Sequence, residues 1–479
     1  MWYRTATLGL MLLGGCQVGP DYRAPAPVLP DRWQAARDPA HGLRPIPAQH
    51  LQDWWKTFAD PTLDRLIDRA RRGNLDLQLA FTRIEQARAE RRAQRAELYP
   101  RVNGTAAGGY LDNLIPGRNQ SGNSLGFFLS GVDALWEIDV FGRLHRKLEA
   151  ATAETDSATE RYRQAWVMLT AETARTYTEY RNLQQQLAIT HANLNAQRQT
   201  LRLTERLNEE GVGTRYDVAR ARAHTEATEA GIPSLEGQIT AWRHQLEILI
   251  GAQPGALKTT LATTGDVPLA SARELLTTPA DTLRYRPDIR AAERTLAAAT
   301  AAQGAALAEL FPKISVAAFL GVQNSDLENL FRSTAFSWAS GSAIMQPIFN
   351  FGRIRAGIDL ADARQQEAYV QYEKSVLEAL RETETALTQY LKEEQRRQAL
   401  ARSVTDLRES LRLANLRYRE GISTFLDVLD AQRMLYLDEL ELARSRAQTT
   451  QYLIALYKAL GGAGQLEVKP AEEPLRPWG

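Results

Sequence analysis

The sequence predicts an α+β chain in which one helix-and-strand unit is used twice. Three observations carry this. The segment from Leu201 to Ala221 matches Leu411 to Ala431 at nine of 21 positions, at a constant offset of 210 residues, where chance gives about one match. Residues 143–210 and 353–420 contain no proline and, Gly357 apart, no glycine. Before each lies a pair of short apolar runs that ends in the same tripeptide, Phe141-Gly142-Arg143 and Phe351-Gly352-Arg353.

At the N-terminus, Arg4, an apolar run from Ala6 to Leu13 and then Leu13-Gly14-Gly15-Cys16 have the form of a secretory signal. A small-residue site directly before a cysteine resembles a bacterial lipobox. That resemblance implies cleavage after residue 15 and acylation of Cys16; the alternative weighed against it is an ordinary signal with an incidental cysteine. Cys16 is the single cysteine among 479 residues, so no intramolecular disulfide can form. Seven prolines between Pro20 and Pro47 make residues 16–59 read as an extended arm. The formal charge of +1 gives no support for nucleic-acid binding.

The first repeat, residues 60–251, opens with a helix at Asp60-Pro61, proline being harmless in a first turn. A second helix runs from Asn74 to Leu98 and stops at Tyr99-Pro100. Residues 101–137 then read as a strand hairpin around a polar loop at 114–119. The long helix 143–210 follows, about 100 Å at 1.5 Å per residue. Trp166, Thr173, Tyr180, Leu187, Leu194 and Leu201 form a seven-residue seam along it, the mark of helices packed side by side. A tip at 211–214 leads into the return helix 215–250, which Pro233 is expected to bend.

The linker 252–285 reads as a mid-height belt. The second repeat, residues 286–461, follows the same order: a helix from Asp288 to Leu310, a strand hairpin over 313–348, a long helix 353–420 and a return helix 425–460. Its seam reads Val376, Thr383, Tyr390, Arg397, Val404 and Leu411, with Arg397 the one charged interruption. Residues 462–479 form a tail at belt level. The four strands have the length of tilted membrane-spanning strands, yet four cannot close a barrel. Pattern alone leaves open a soluble sheet or a barrel shared by several protomers.

The residues resemble a known family. Cys16-Gln17-Val18-Gly19-Pro20-Asp21-Tyr22, Trp54-Trp55-Lys56-Thr57-Phe58, Asn74-Leu75-Asp76-Leu77, Tyr99-Pro100, residues 136–143 and the two Gly-x-x-Thr tips look like the outer membrane factor lipoproteins, of the TolC/OprM-like and NodT-type branch. The resemblance covers Cys16 to about Gly462. It implies a homotrimer with a 12-stranded β-barrel, four strands per protomer, continued by a periplasmic α-helical barrel with a mixed equatorial belt. The function implied is passive: a lipid-anchored outer-membrane channel of a tripartite efflux system in a Gram-negative bacterium. Small molecules reach it from an inner-membrane pump, an RND-type one, through a periplasmic adaptor. A duct for a protein-secreting, type I-like exporter and a structural envelope-tethering lipoprotein are the alternatives.

The tips carry the candidate site residues. Gly211, Val212, Gly213 and Thr214, with Gly421, Ile422, Ser423 and Thr424, are the implied adaptor contacts. Gly211 and Gly421 suit a helix C-terminus; Thr214 with Asp217 and Thr424 with Asp427 suit approximate capping boxes. Capping alone explains both aspartates. The resemblance adds a periplasmic gate in which Asp427 and Asp430 form carboxylate rings and Asp217 and Tyr418 tie the closed state. The family's tip arginine is replaced by Ser423, with Arg215 and Arg220 as candidate substitutes. The six histidines are scattered without metal-ligand spacing, and no nucleophile–base arrangement or phosphate loop is present. The reading is therefore of a non-enzyme with no cofactor beyond a covalent lipid, palmitate among its acyl groups.

Overall fold

The structure, a computed structural model, describes residues 17–34, 44–45, 51–111, 125–270, 274–276 and 278–468. Cys16, the signal segment, the loop expected at 114–119 and the end of the tail lie outside the described residues.

In chain order the elements are β1 Arg44–Pro45, a 3-10 helix Trp54–Phe58, α1 Pro61–Gly73, α2 Leu75–Ala96, β2 Arg101–Leu111, β3 Leu125–Ile138, α3 Arg143–Glu209 and α4 Arg215–Leu249. Then come β4 Glu274–Leu276, α5 Pro279–Tyr285, α6 Pro287–Ala308, β5 Lys313–Asn324, β6 Phe336–Met345, α7 Arg353–Arg419 and α8 Phe425–Ala459, with short 3-10 turns between β5 and β6. The arm expected to be extended thus ends in a helical turn, because Trp54, Trp55 and Phe58 all turn inward. Trp54 stacks on Tyr457 at 5.2 Å and Trp55 meets Trp166 edge-on at 6.2 Å.

Local chemistry sets the boundaries. Asp60 accepts from the Thr62 and Leu63 amides at 2.8 and 3.2 Å, starting α1 with Pro61 in its first turn. The same carboxylate accepts from the buried Tyr177 hydroxyl at 2.7 Å, tying α1 to α3. Asn74 ends α1 and caps α2, accepting from the Leu77 amide at 2.8 Å. α4 continues through Pro233 as one helix. The expected seam is buried at Trp166, Thr173, Tyr180 and Leu194 in α3, and at Val376, Thr383, Tyr390 and Val404 in α7. Arg397 is neutralised there by Glu394 at 2.7 Å.

The chain divides into two compact units. One comprises the start of the arm, residues 83–158 and residues 291–373, and contains the four-stranded sheet; the other holds both hairpin tips and the short parallel β1–β4 pair. The sheet order is β2-β3-β5-β6, antiparallel throughout. Every ladder pairs even-numbered with even-numbered residues, so one face carries all the even positions. Arg101, Asp133, Glu137 and Lys313, the sheet's only charged side chains, all fall on the odd face, together with Asn103, Thr105 and Gln323. The even face carries Val102, Tyr110, Val132, Trp136, Leu320, Trp338 and Ile344 and no charge. The β6 ladder stops at Met345, three residues short of the expected Ile348; Pro347 has no N–H to donate.

Candidate functional site: the paired tips and the open sheet

Each tip is a helix stop followed by a cap. Gly211 at φ 78 and Gly421 at φ 70 reverse the chain in the left-handed region. The Val212 amide returns to the Leu207 carbonyl and that of Ile422 to Arg417, both at 2.9 Å. At the start of α8 the Thr424 amide donates to the Asp427 carboxylate at 2.9 Å, and the Thr424 hydroxyl donates to the same oxygen at 3.0 Å. In copy one the Thr214 hydroxyl donates to Asp217 at 2.6 Å and accepts from the Asp217 amide at 3.2 Å. Both aspartates are therefore structural in the protomer.

The two tips are joined by packing. Phe425 and Leu429 of α8 bury themselves against Ala221 of α4, with Leu201 and Tyr418 closing the cluster. The rings of Tyr418 and Phe425 lie 5.9 Å apart. Burial raises the Tyr418 hydroxyl pKa, the nearby Asp217 carboxylate raises it further, and a side-chain hydrogen bond with Thr204 works the other way. Of the four expected gate residues, Asp217 and Tyr418 thus come together across the copies, and Asp427 serves its own turn. Asp430 is exposed and has no hydrogen bond or ion pair among the described residues. Arg215 and Arg220 likewise make no ion pair among them. Val212 and Ile422 are exposed at the turns, as is Tyr216 beside them.

Phe425, Leu429, Ala221 and Thr204 were not singled out by sequence. A signal existed: Phe425 stands where copy one has Arg215, and an aromatic at an otherwise polar first-turn position marks a contact.

The sheet is the other half of the site. Among the described residues β2 and β6 have no partner on their outer edges, an arrangement that hydrocarbon does not tolerate. No described helix is long and apolar enough to cross a membrane. The sequence profile of outer membrane efflux proteins matches the chain twice, over residues 66–252 and 278–462. The chain belongs to the outer membrane efflux protein family.

Its relatives include the solvent efflux pump outer membrane protein SrpC of Pseudomonas putida, 33% identical over 465 residues and covering 95% of this chain and 96% of that one. Nodulation protein T of Rhizobium leguminosarum bv. trifolii is 31% identical, with 94% and 95% covered. The solved outer-membrane channel OprN superposes with a TM-score of 0.89 at 35% identity, covering 94% of this chain and all of that one. The chain is accordingly one protomer of a trimeric channel, four strands of a 12-stranded barrel continued by helices. It acts in the outer membrane of a Gram-negative bacterium, extending into the periplasm, as the channel component of a tripartite efflux system.

Proposed function

We propose that the channel is a passive, lipid-anchored exit duct for small molecules, held shut at the periplasmic tips by carboxylate rings and opened by its partners. The observation that carries the gate is the asymmetry of the copies. Asp217 and Asp427 both cap, whereas Asp430, on the exposed face of α8, has no structural duty and stands where copy one has Arg220. Three chains bring three copies of Asp427 and three of Asp430 around one aperture, which attracts cations. Asp217 and Tyr418 tie the two tips of each protomer in the closed state. The exposed turns, Gly211 to Thr214 and Gly421 to Thr424, dock the periplasmic adaptor, and an RND-type inner-membrane pump delivers the cargo. Cys16 carries the lipid. No chemistry is performed on the cargo and no cofactor is required. Relatives named for solvent, toluene, antibiotic and cation efflux support small molecules as the cargo.

Single-channel recording in planar bilayers tests this. Asp430→Ala, which leaves the cap intact, is expected to raise conductance and weaken cation selectivity, and Asp427→Ala with Asp430→Ala to do so further. Currents unchanged in both variants would sink the gate.

A further inference from the structure

One charge in the sheet is left without a counter-charge. Of the sheet's four charged side chains, three belong to ion pairs at the end where the strands meet the helices. Arg101 pairs with Glu97 at 3.1 Å, Glu137 with Arg143 at 2.7 Å and Lys313 with Glu309 at 2.8 Å. Asp133 makes no ion pair among the described residues. Its carboxylate accepts from the Asn103 side-chain amide at 3.0 Å and from the Thr105 hydroxyl. Both donors sit on β2, Asn103 directly opposite, so they hold the carboxylate in place on the odd face. Neither donor is charged, so neither neutralises it.

The surroundings leave that carboxylate uncovered. Across the other ladder Asp133 faces Phe319. The Phe319 ring leans away, over the neighbouring pair Gly131 and Gly321; a β-carbon on either glycine would come within 2.9 Å of its Cζ atom. Asp133 lies two residues beyond Leu135, the partner of Arg101. At 3.4 Å per residue that sets it about 7 Å deeper in the strands than the paired rim. Below the rim, Lys147 lies in a hollow that it shares with Glu90, Glu154 and Glu309, so it offers no net positive charge to offset Asp133.

In a barrel, alternate side chains face lipid and lumen, and charge on the lipid face is destabilising. The odd face, which carries all four charges, is therefore the lumen face, and three chains set three copies of Asp133 at one level. We propose that Asp133 is a charge-selecting residue of the barrel, its three carboxylates forming a ring in the lumen that favours cations over anions. Cationic cargo passes this level more readily than anionic solutes of the same size. The ring belongs to the unit that contains the sheet, and it acts whether or not the carboxylates at the tips form a gate.

Reversal potentials of the full-length trimer in planar bilayers under a KCl gradient test this. Asp133→Asn keeps the size and a hydrogen-bonding oxygen and removes the charge. It is expected to shift the reversal potential toward zero near 0.1 M salt, where charges act over about 10 Å, and much less near 1 M, where they act over about 3 Å. A shift of the same sign is expected in the Asp430→Ala background, which keeps the outcome independent of the tips. Asp133→Cys gives a second readout. A thiol reagent bearing trimethylammonium is expected to turn the preference toward anions, and one bearing sulfonate to restore it toward cations. Neither is expected to act on Val132→Cys, on the even face. An unchanged reversal potential in Asp133→Asn at low salt, or Asp133→Cys currents indifferent to both reagents, overturns the proposal. Should the Asp133 variants fail to assemble, Ala339→Lys leaves the carboxylate and its donors in place and adds an ammonium to the same face, opposite Phe319. It is expected to lower the cation preference, and an unchanged preference overturns the proposal equally.

Discussion

At the scale of the residue, the buried polar groups do the fixing. Arg146 is 2% exposed. Its guanidinium donates to the Val18 and Gly19 carbonyls, both at 3.2 Å, and to the Asp21 and Glu149 carboxylates, both at 2.8 Å. Tyr22 adds a hydrogen bond to Glu293 at 3.1 Å beneath the Arg294 guanidinium. Residues 18–22 of the arm are thus docked on α3 and α6, just beyond the end of β3. Arg146→Ala leaves those carbonyls without their donor and is expected to weaken the docking of the arm by on the order of 2–3 kcal/mol. Limited trypsin digestion reads this as faster cleavage after Arg23, while the trimer persists. An unchanged rate would show that the arm is held by other contacts.

At the scale of the element, the two Phe-Gly-Arg junctions are alike in sequence and unlike in surroundings. Gly142 has φ 77 and Gly352 φ 84, so a side chain at either is strained, by about 1–2 kcal/mol. A β-carbon at Gly142 would also approach within 2.7 Å of Gln17, whereas one at Gly352 meets nothing within 4 Å in the protomer. Gly142→Ala is expected to lower the thermal unfolding midpoint more than Gly352→Ala; equal shifts would contradict the docking of Gln17. The helices were legible because proline and glycine punctuate them and the seam repeats every seven residues; Arg397 stays in the seam because Glu394 neutralises it. Two features were not. The Trp54–Phe58 turn lies in a proline-rich context and depends on a partner, Tyr457, some 400 positions away. The faces of the sheet were hidden because the odd face also carries Phe127, Leu129, Leu135 and Phe319, so only the register separates them. Of the candidate site, the caps could be read from Gly-x-x-Thr and the aspartate three residues on. The packing that joins the tips could not, since Phe425 and Ala221 come from helices in different repeats.

At the scale of the whole molecule, each chain supplies a third of the barrel, and duplication builds that third from two copies of one hairpin. Two hairpins give four strands and two open edges, and three chains in a ring remove every edge. On the proposed gate, the same threefold arrangement would gather three copies of the exposed Asp430 around one aperture. Native mass spectrometry of the protein extracted from outer membranes into detergent tests the account most directly. The account predicts an assembly of three chains, each beginning at Cys16 and carrying acyl groups. A single chain as the extracted species would contradict it.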